Sequence, residues 1–444
     1  MKGWLAVAVG LVLAAFAAGR VIAASSGDDV IAKILSQDPA PNAPASAVVG
    51  ATASPPRPQG PQAVVMSARI GEHADRTRFV VEISDPVTMR IFTLSAPNRV
   101  VIDMPAVQWH LSAPPRPTGD GAVRSYRYGL FRPGNSRFVI DLNKPVAVSS
   151  AVVVPPEGGY GYRIIIDLFP ATQSDFDHKA GWPADLKARE AAAERVASLP
   201  PARPVPTEKH IIVVDAGHGG IDAGTTGING LLEKDLVLDE AKRLARLLSR
   251  RANYDVHLTR DSDIYVPLNE RVNYSRSQRA DLFISLHADS NPDSEVSGLS
   301  IYTQSERGSD REAAALARKE NQSDVIAGVD LSGGNSTVAP ILIDLAQRDT
   351  MNRSTRFAQV AVTALSRTTD ILTRDPHRAA AFVVLKAPDV PSVLIELGYL
   401  SNRHDAAQMS TASWRAATAL AIASAVDGYF APASASGNSR EFPQ

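Results

Sequence analysis

The 444-residue chain contains no cysteine. It therefore has no disulfide, no thiolate metal ligand and no cysteine that could carry a lipid at a mature N-terminus. It also lacks an excess of charge of either sign, because 46 lysines and arginines offset 47 aspartates and glutamates to give a net charge of −1. This balance argues against nucleic acid as a partner, and the 44% of hydrophobic residues is typical of globular domains.

The first residues of the chain have the pattern of an export signal. Lys2 precedes an apolar run over residues 4–18, which is short of the roughly 20 residues that span a bilayer. We predict a signal peptide over residues 1–24, with an uncleaved anchor as the alternative. This segment contains no twin arginine, which favours the general secretion route. The sequence thus predicts a periplasmic protein that meets the membrane only through this segment, during export.

Proline-rich stretches divide the rest of the chain. Residues 25–63 are rich in proline and alanine, and residues 171–207 form a second stretch with several prolines, so both should be extended tethers with little core. The tail over residues 432–444 should be disordered. The sequence therefore predicts two folded domains, over residues 64–170 and 208–431.

The first predicted domain repeats one phrase, in which an arginine opens a β-branched apolar run that ends in an acidic or apolar residue. Turn-forming residues flank each copy, as expected for short strands in a two-sheet sandwich. We predict an all-β sandwich with an internal duplication. The copies are Arg78–Ile83, Arg99–Asp103, Arg137–Leu142 and Arg163–Leu168.

The second predicted domain alternates strand and helix patterns, which is typical of an α/β fold with an open, mostly parallel sheet and helices on both faces. His218, His287 and Glu396 each follow a short apolar run of strand length. Because ligands bind at the carboxyl ends of strands in such sheets, the three side chains should converge on one crevice. A further strand is expected near residues 382–386.

The residue types at this edge suggest a hydrolytic metal site. Two imidazoles and one carboxylate hold zinc with a fourth position open, and Glu233, at the start of an amphipathic helix, can supply that carboxylate. Glu396 is then left for proton transfer. Each residue alone has an ordinary explanation, such as a carboxylate favoured by a helix dipole. The rival phosphate loop is disfavoured, because the glycine-rich segment around His218 lacks the lysine of a Walker motif.

These motifs resemble a known family, the zinc-dependent N-acetylmuramoyl-L-alanine amidases of the amidase-3 type, over residues 210–430. The resemblance implies that His218, Glu233 and His287 hold one zinc ion and that Glu396 is the catalytic carboxylate. The substrate would be peptidoglycan, cut between N-acetylmuramic acid and L-alanine. The motifs are Gly217-His218-Gly219-Gly220, Glu233-Lys234-Asp235, Leu286-His287-Ala288-Asp289 and Glu396-Leu397-Gly398-Tyr399.

The predicted sandwich resembles the AMIN domain that precedes some of these amidases. This resemblance implies binding to the cell wall and recruitment to the division site, and hence a role in daughter-cell separation and wall turnover. The alternative is a structural sandwich without a ligand.

A long insertion over residues 304–378 interrupts the second domain. A structureless loop of this length would be unusual in a compact domain, so it should contain structure of its own. Ser309 and Glu312 have the spacing of a capping box before a predicted helix over residues 311–320. Apolar residues over 357–365 recur at helical spacing and predict a second helix with one apolar face.

Part of this insertion, residues 319–328, resembles the blocking region of cell-separation amidases. We hypothesise that Glu320 occupies the fourth zinc position in the resting enzyme, although a solvated helix carboxylate is the simpler explanation for a single glutamate. A periplasmic activator protein would then release the block by binding the helical insertion, at the apolar face of residues 357–365.

Two other functions remain open at this stage. One is a noncatalytic peptidoglycan-binding division scaffold, and the other is a zinc hydrolase that acts on a different amide. The intact set of four candidate site residues disfavours the scaffold, whereas spacing alone does not exclude another amide substrate.

Overall fold

A computed structural model describes most of both predicted domains. The predicted signal segment and the C-terminal tail lie outside the described residues, as do residues 190–208 of the predicted tether. Within the described part of the chain, no helix is long and apolar enough to cross a membrane. The described residues are 62–111, 121–149, 151–157, 160–189, 209–330 and 340–431, without the side chains of residues 340–346.

The first domain is a sandwich of two β-sheets, as predicted. One sheet has the order β5-β1-β2-β10-β8, with β9 also paired to β10, and the other has the order β3-β4-β7-β6. Their inner faces share one core, in which the rings of Phe79 and Phe138 lie 5.7 Å apart. The strands are β1 (Val64–Glu72), β2 (Thr77–Ile83), β3 (Arg90–Leu94), β4 (Arg99–Pro105), β5 (Gln108–Trp109), β6 (Val123–Arg132), β7 (Asn135–Leu142), β8 (Val146–Val148), β9 (Val152–Val154) and β10 (Tyr162–Pro170).

The repeated phrases lie on neighbouring antiparallel strands of each sheet. In one sheet Arg78 of β2 stands opposite Asp167 of β10, and in the other Arg137 of β7 stands opposite Asp103 of β4. Because side chains alternate along a strand, every second residue of each phrase fills the core, while the arginine, the aspartate and the apolar residue between them lie on the outer face. Each sheet therefore carries cross-strand arginine–aspartate pairs on its outside.

The segment after β10, assigned to the tether by the sequence, is partly folded. It contains helix α1 (Gln173–Lys179), which begins after the N-cap Thr172. Phe176, Trp182 and Leu186 are buried, and the last two belong to a small apolar cluster shared with the second domain.

The second domain is built on a six-stranded sheet of order β12-β11-β13-β16-β14-β15, in which only β14 and β16 pair antiparallel. The strands are β11 (His210–Ala216), β12 (Tyr254–Leu258), β13 (Leu282–His287), β14 (Ser300–Gln304), β15 (His377–Ala380) and β16 (Ser392–Glu396). The helices are α2 (Glu233–Ser249), α3 (Leu268–Ser277), α4 (Arg311–Glu320), α5 (Ser323–Ile326), α6 (Pro340–Leu365), α7 (Arg403–Met409) and α8 (Ala412–Phe430).

Helices cover both faces of this sheet. Along β11, Ile212 and Val214 join the core that α2, α6 and α8 form on one face, whereas Val213 joins the core with α3 and α4 on the other. Since both faces are covered, the strands are apolar throughout. The predicted open, mostly parallel α/β sheet is confirmed.

Two local predictions in and near the insertion are wrong. Helix α4 begins at Arg311 as predicted, but its N-cap is Asp310 rather than Ser309, and the Asp310 carboxylate accepts a hydrogen bond of 2.8 Å from the Ala313 amide. The expected strand over residues 382–386 is a 3₁₀ turn at Val383–Leu385. That run is apolar because the turn is buried, and a short apolar run does not distinguish a strand from a buried turn.

The prediction that residues 357–365 present an apolar face to an activator is also wrong. Phe357, Ala361 and Leu365 are fully buried in the main core. The Phe357 ring meets Tyr429 of α8 edge to face, with the centroids 5.5 Å apart. The spacing of apolar residues identifies which side of a helix is apolar, but not whether that side packs against its own domain.

Candidate active site

A glycine-rich loop after β11 places the first candidate ligand. His218 has a φ of 57°, in the left-handed region, and is followed by Gly219 and Gly220, which also have positive φ. Gly217 lies directly beneath the ring of His287, so that a Cβ at this position would collide with the imidazole. The glycines thus let two loops approach closely enough for the two histidines to meet.

The carboxyl ends of the strands bring the predicted residues together. His287 ends β13 and pairs in register with Glu396 at the end of β16, while Glu233 is the first residue of α2. Glu233 Oε1 lies 3.2 Å from His218 Nε2 and 3.3 Å from His287 Nδ1. All four residues predicted from the sequence therefore lie at one edge of the sheet, and all are buried.

Glu320, at the last turn of α4, enters the same cluster. Its Oε2 lies 3.2 Å from His218 Nε2 and 3.1 Å from His287 Nδ1, and the residue is only 4% exposed. The structure thus places a carboxylate from the insertion on the two imidazole nitrogens that also face Glu233. The alternative prediction, that Glu320 is a solvated helix carboxylate, is therefore wrong.

The geometry of this cluster fits a divalent metal ion. The ligand atoms of His218, His287 and Glu320 all lie within 4.8 Å of one another. Two ligands of a tetrahedral zinc ion, each about 2.0–2.1 Å from the metal, lie about 3.3 Å apart, close to the four histidine–carboxylate distances found here. Among the described residues, His218 Nε2, His287 Nδ1 and both Glu320 oxygens also make no well-directed hydrogen bond.

The electrostatics of the cluster also call for a cation. Burial lowers the pKa of His218, but the carboxylates of Glu233, Asp222 and Glu320 raise it well above its usual value. For His287, the effect of burial is likewise outweighed by Glu320 and Glu233, so that the pKa rises to about 10. The anionic pocket therefore favours positive charge between its carboxylates, as protons on the imidazoles or as a metal that replaces them.

Neighbouring groups fix the orientation of the candidate ligands. Asp222 Oδ2 lies 2.8 Å from His218 Nδ1, which directs Nε2 into the cluster, as in the carboxylate–histidine pairs of metal sites. Glu233 accepts hydrogen bonds from the backbone amides of Thr225 at 2.8 Å and Ala288 at 2.9 Å. Asp222 was not among the residues predicted from the sequence, although a carboxylate four residues after a candidate histidine ligand is a signal that could have identified it.

Two buried arginines hold the loop that carries His218. Arg271 donates hydrogen bonds to Asp215 Oδ1 at 2.7 Å and to the carbonyl of His218 at 2.8 Å. Arg260 donates to the carbonyl of Gly217 at 2.8 Å. Neither guanidinium makes a contact with the cluster itself among those described, so both act on the backbone beneath it.

Glu396 stands beside the cluster with one oxygen available. Its Oε2 accepts a hydrogen bond of 3.1 Å from the Asp289 amide, while Oε1 has no hydrogen-bond partner among the described residues. Burial raises the pKa of Glu396 to about 8, because the opposing effect of His287 is smaller and the nearby carboxylates of Glu233 and Glu320 add to the rise. A carboxyl group with a pKa near neutrality can both accept and donate a proton.

Further contacts fasten the segment that carries Glu320. Lys319 pairs with Asp289 and donates to Thr225 Oγ1 at 3.0 Å. Beyond the helix, Ser323 donates to Asp222, the aspartate that orients His218. The sequence did not predict these contacts, because each joins parts of the chain that are far apart in sequence.

A second carboxylate, Asp324, completes this attachment. It accepts hydrogen bonds from the Tyr265 hydroxyl at 2.7 Å and from the Leu268 amide at 3.0 Å. Asn321 donates to the carbonyl of Ala381 at 2.9 Å. Residues 319–324 are thus bound to the rim of the cluster by side chains on both sides of Glu320.

Comparison with known proteins agrees with this architecture. Residues 212–428 match the family model described as N-acetylmuramoyl-L-alanine amidase, and residues 67–168 match that of the AMIN domain. The chain is 33% identical over 382 residues to the N-acetylmuramoyl-L-alanine amidase AmiC of Escherichia coli O6:H1, covering 83% of this chain and 89% of that protein. It is 32% identical over 374 residues to AmiC of Neisseria meningitidis serogroup B, covering 82% and 89%.

Among solved structures, the N-acetylmuramoyl-L-alanine amidase AmiC2 of Nostoc punctiforme aligns with a TM-score of 0.38 at 27% identity, covering 50% of this chain and 98% of that one. The family models and the relatives matched over most of their length agree on one assignment. The chain belongs to the N-acetylmuramoyl-L-alanine amidase family and is an enzyme of that type with an AMIN domain in front of its catalytic domain.

Proposed function

We propose that this enzyme is a zinc-dependent amidase that cuts peptidoglycan between N-acetylmuramic acid and L-alanine, and that its resting form is blocked by Glu320. The observation that carries the proposal is the meeting of His218, His287, Glu233 and Glu320 at ligand-to-ligand distances of 3.1–3.3 Å. Three of these residues belong to the main part of the catalytic domain, on the loop after β11, at the end of β13 and at the start of α2, and the fourth comes from the insertion.

His218, Glu233 and His287 would hold the zinc ion. When bound, zinc would polarise the scissile carbonyl and increase the acidity of the attacking water. Asp222 would hold His218 as the tautomer protonated at Nδ1, which leaves Nε2 free to bind the metal. The amides of Thr225 and Ala288 hold the Glu233 carboxylate. This chain's residues thus present a ligand set that is fixed before substrate arrives.

Glu396 would transfer the proton. Its Oε1 accepts no hydrogen bond from the residues that the structure describes, so it can take a proton from the attacking water and deliver it to the amine of L-alanine as the amide bond breaks. The amide of Asp289 holds the other oxygen in place. A pKa of about 8 keeps both protonation states accessible near neutral pH.

The block follows from the position of Glu320. Because its carboxylate lies against the same imidazole nitrogens that face Glu233, it occupies the place that water and substrate need. Lys319 and Ser323 hold it there through Asp289 and Asp222. Opening the site requires all these contacts to break together.

An activator protein would shift this equilibrium by binding the open form more tightly than the closed form. The buried face of α6 is not available to it. The insertion still offers the outer side of α4, where Arg311 and Glu312 are exposed, and Met351 of α6, which is 44% exposed. We infer that the activator binds this outward side of the insertion.

The proposed setting is the periplasm, reached through the general secretion route, with the AMIN domain binding the wall and recruiting the enzyme to the division site. The signal segment on which this depends lies outside the described residues. A noncatalytic scaffold is less consistent with a complete, pre-oriented ligand set. Another amide substrate would be distinguished by its product.

The test is release of stem peptides from purified sacculi by zinc-loaded protein, with product analysis for free L-alanine amines. We expect weak release by the full chain and stronger release by Glu320→Ala, loss of release from both after chelation with recovery on adding zinc, and loss in Glu396→Gln with its zinc content unchanged. Glu312→Gln is the matched control, because Glu312 is exposed and contacts only Arg378 among its described partners. Zinc binding without release by either the full chain or Glu320→Ala would contradict the proposed substrate, and a folded protein that binds no zinc would contradict the proposed site.

A further inference from the structure

The outer face of the β3-β4-β7-β6 sheet of the AMIN domain lies against the segment that follows Glu320. Val101 and Val139 of this face share an apolar cluster with Ala327 and Val329. Gly328 has a φ of 69°, and a Cβ there would lie only 2.9 Å from Val139 Cγ2. The backbone of the segment thus contacts the sheet closely, and there is no room for a larger side chain at Gly328.

Three arginines of the same face donate hydrogen bonds to the backbone of this segment. Arg99 reaches the carbonyls of Val325 at 2.8 Å and Val329 at 3.4 Å. Arg137 reaches the carbonyls of Ala327 and Gly328, both at 3.0 Å.

Arg127 donates to the carbonyl of Ile326, and to that of Val325 at 3.2 Å. The last carbonyls of a helix have no partner within the helix, and positive charge is favourable at that end. Arg127 therefore satisfies the Ile326 carbonyl, and the guanidinium groups place positive charge at the carboxyl end of α5, where the Val325 carbonyl also accepts from the Gly328 amide at 3.1 Å.

Two of the three arginines are held in position by aspartates of the neighbouring strands. Asp103 accepts two hydrogen bonds from Arg137, at 2.6 and 2.9 Å, and Asp141 pairs with Arg127. Arg99 is fully buried, and although burial lowers its pKa to about 10, it remains protonated at neutral pH. The donor groups of this face are thus held in position to bind a peptide backbone.

The residues after the AMIN strands extend this contact. The Trp182 amide donates to Asp330 Oδ2 at 3.1 Å, and its indole donates to the carbonyl of Gly328 at 3.4 Å. The contact therefore covers residues 325–330 on two sides. The same stretch begins only five residues after Glu320, on the far side of the Ser323 and Asp324 attachments.

We propose that this face of the AMIN domain is a docking surface for residues 325–330 of the same chain, and that the AMIN domain thereby keeps the active site closed. The proposal rests on the proposed block by Glu320 and adds a second domain to it. By reciprocity, any ligand that takes this face away from the segment favours the open site, and opening the site frees this face.

The experiment uses the full chain and compares Arg99→Ala/Arg127→Ala with wild type. Hydrogen–deuterium exchange of the amides of residues 322–330 reports the docking directly, and stem-peptide release reports the block. We expect exchange in this stretch and basal release each to increase about tenfold or more, a tenfold change being equivalent to about 1.4 kcal/mol. Arg78→Ala is the matched control, because Arg78 pairs with Asp167 on the other sheet. It should change neither readout.

A second variant, Gly328→Ala, leaves the AMIN domain intact and introduces the methyl group that would meet Val139. It should also accelerate exchange and raise release, and it decides the question if the arginine variant does not fold. Wild-type exchange and release in both folded variants, with Glu320→Ala active, would overturn the docking proposal and leave the block by Glu320 in place. If exchange is faster in the two docking variants, but release increases neither in them nor in Glu320→Ala, the docking contact stands and the proposed block by Glu320 is overturned.

Discussion

Replacing Glu320 with alanine should raise the basal activity of the full chain. The Glu320 carboxylate contacts both candidate histidine ligands, at 3.2 and 3.1 Å, from a position that is almost completely buried. Alanine removes the group that competes with water and substrate, yet leaves Lys319, Ser323 and Asp324 to hold the segment near the site. The variant therefore separates the blocking group from the structure that positions it.

The size of the effect follows from these contacts. A well-directed hydrogen bond to a charged group contributes about 1.5–3 kcal/mol, and the two Glu320 contacts, which are ion pairs without that geometry, should each contribute about 1.5 kcal/mol, the lower end of that range. If only one such contribution of about 1.5 kcal/mol is lost from the closed form, the open fraction rises roughly tenfold, and the loss of two at the lower value, about 3 kcal/mol, raises it roughly 150-fold. We expect an increase between these values, because the remaining attachments still favour the closed position.

The assay is stem-peptide release from sacculi at equal zinc content, with thermal melting to confirm folding. Glu312→Ala provides the control, since Glu312 lies on the same helix, its side chain is 61% exposed, and it pairs with Arg378 at 3.0 Å. It should leave activity unchanged. A folded Glu320→Ala protein with full zinc content and wild-type activity would refute the proposed block by this carboxylate.

Three further predictions concern other buried residues. Asp222→Ala should weaken zinc affinity about 10- to 100-fold, measured by chelator competition, because His218 loses the carboxylate that orients it. Gly217→Ala should abolish zinc binding and activity, since the added methyl collides with the His287 ring, and unchanged metal content would contradict this. Glu240 has its pKa raised by burial from 4.5 to about 8, so between these values the folded state keeps a proton that the unfolded state has lost, and stability should fall as pH rises, by at most about 1.4 kcal/mol per unit. In urea unfolding at pH 5 and pH 8, Glu240→Gln should show a smaller loss than wild type, and an equal loss would contradict the assignment.

The candidate site was largely predictable because its signals are local. His218, His287 and Glu396 each follow an apolar strand, and the carboxyl ends of neighbouring strands lie at one edge of the sheet. Glu233 begins the next helix, so the chain returns it to the same edge. Glu320 was predicted from the family resemblance and not from a sequence pattern, because a single glutamate on a helix carries no signal of its own.

Two of the wrong predictions have the same physical origin. Residues 357–365 were correctly predicted as an amphipathic helix, but their apolar face packs against Tyr429 and not against a partner. The run over residues 382–386 was correctly read as apolar, but it forms a buried turn. In both cases the residues that complete the packing are distant in sequence, so spacing could not reveal them.

The sequence by itself determined the two fold classes, the strand-end positions of the candidate ligands and the repeated arginine-led strands of the AMIN domain, because these depend on residue type and short-range periodicity. Only the tertiary structure decided that Asp222 orients His218, that Glu320 closes the site, and that Arg99, Arg127 and Arg137 bind the segment behind it. Some of these contacts join residues more than two hundred positions apart in the sequence, and how the sheets and helices pack determines which of these residues meet.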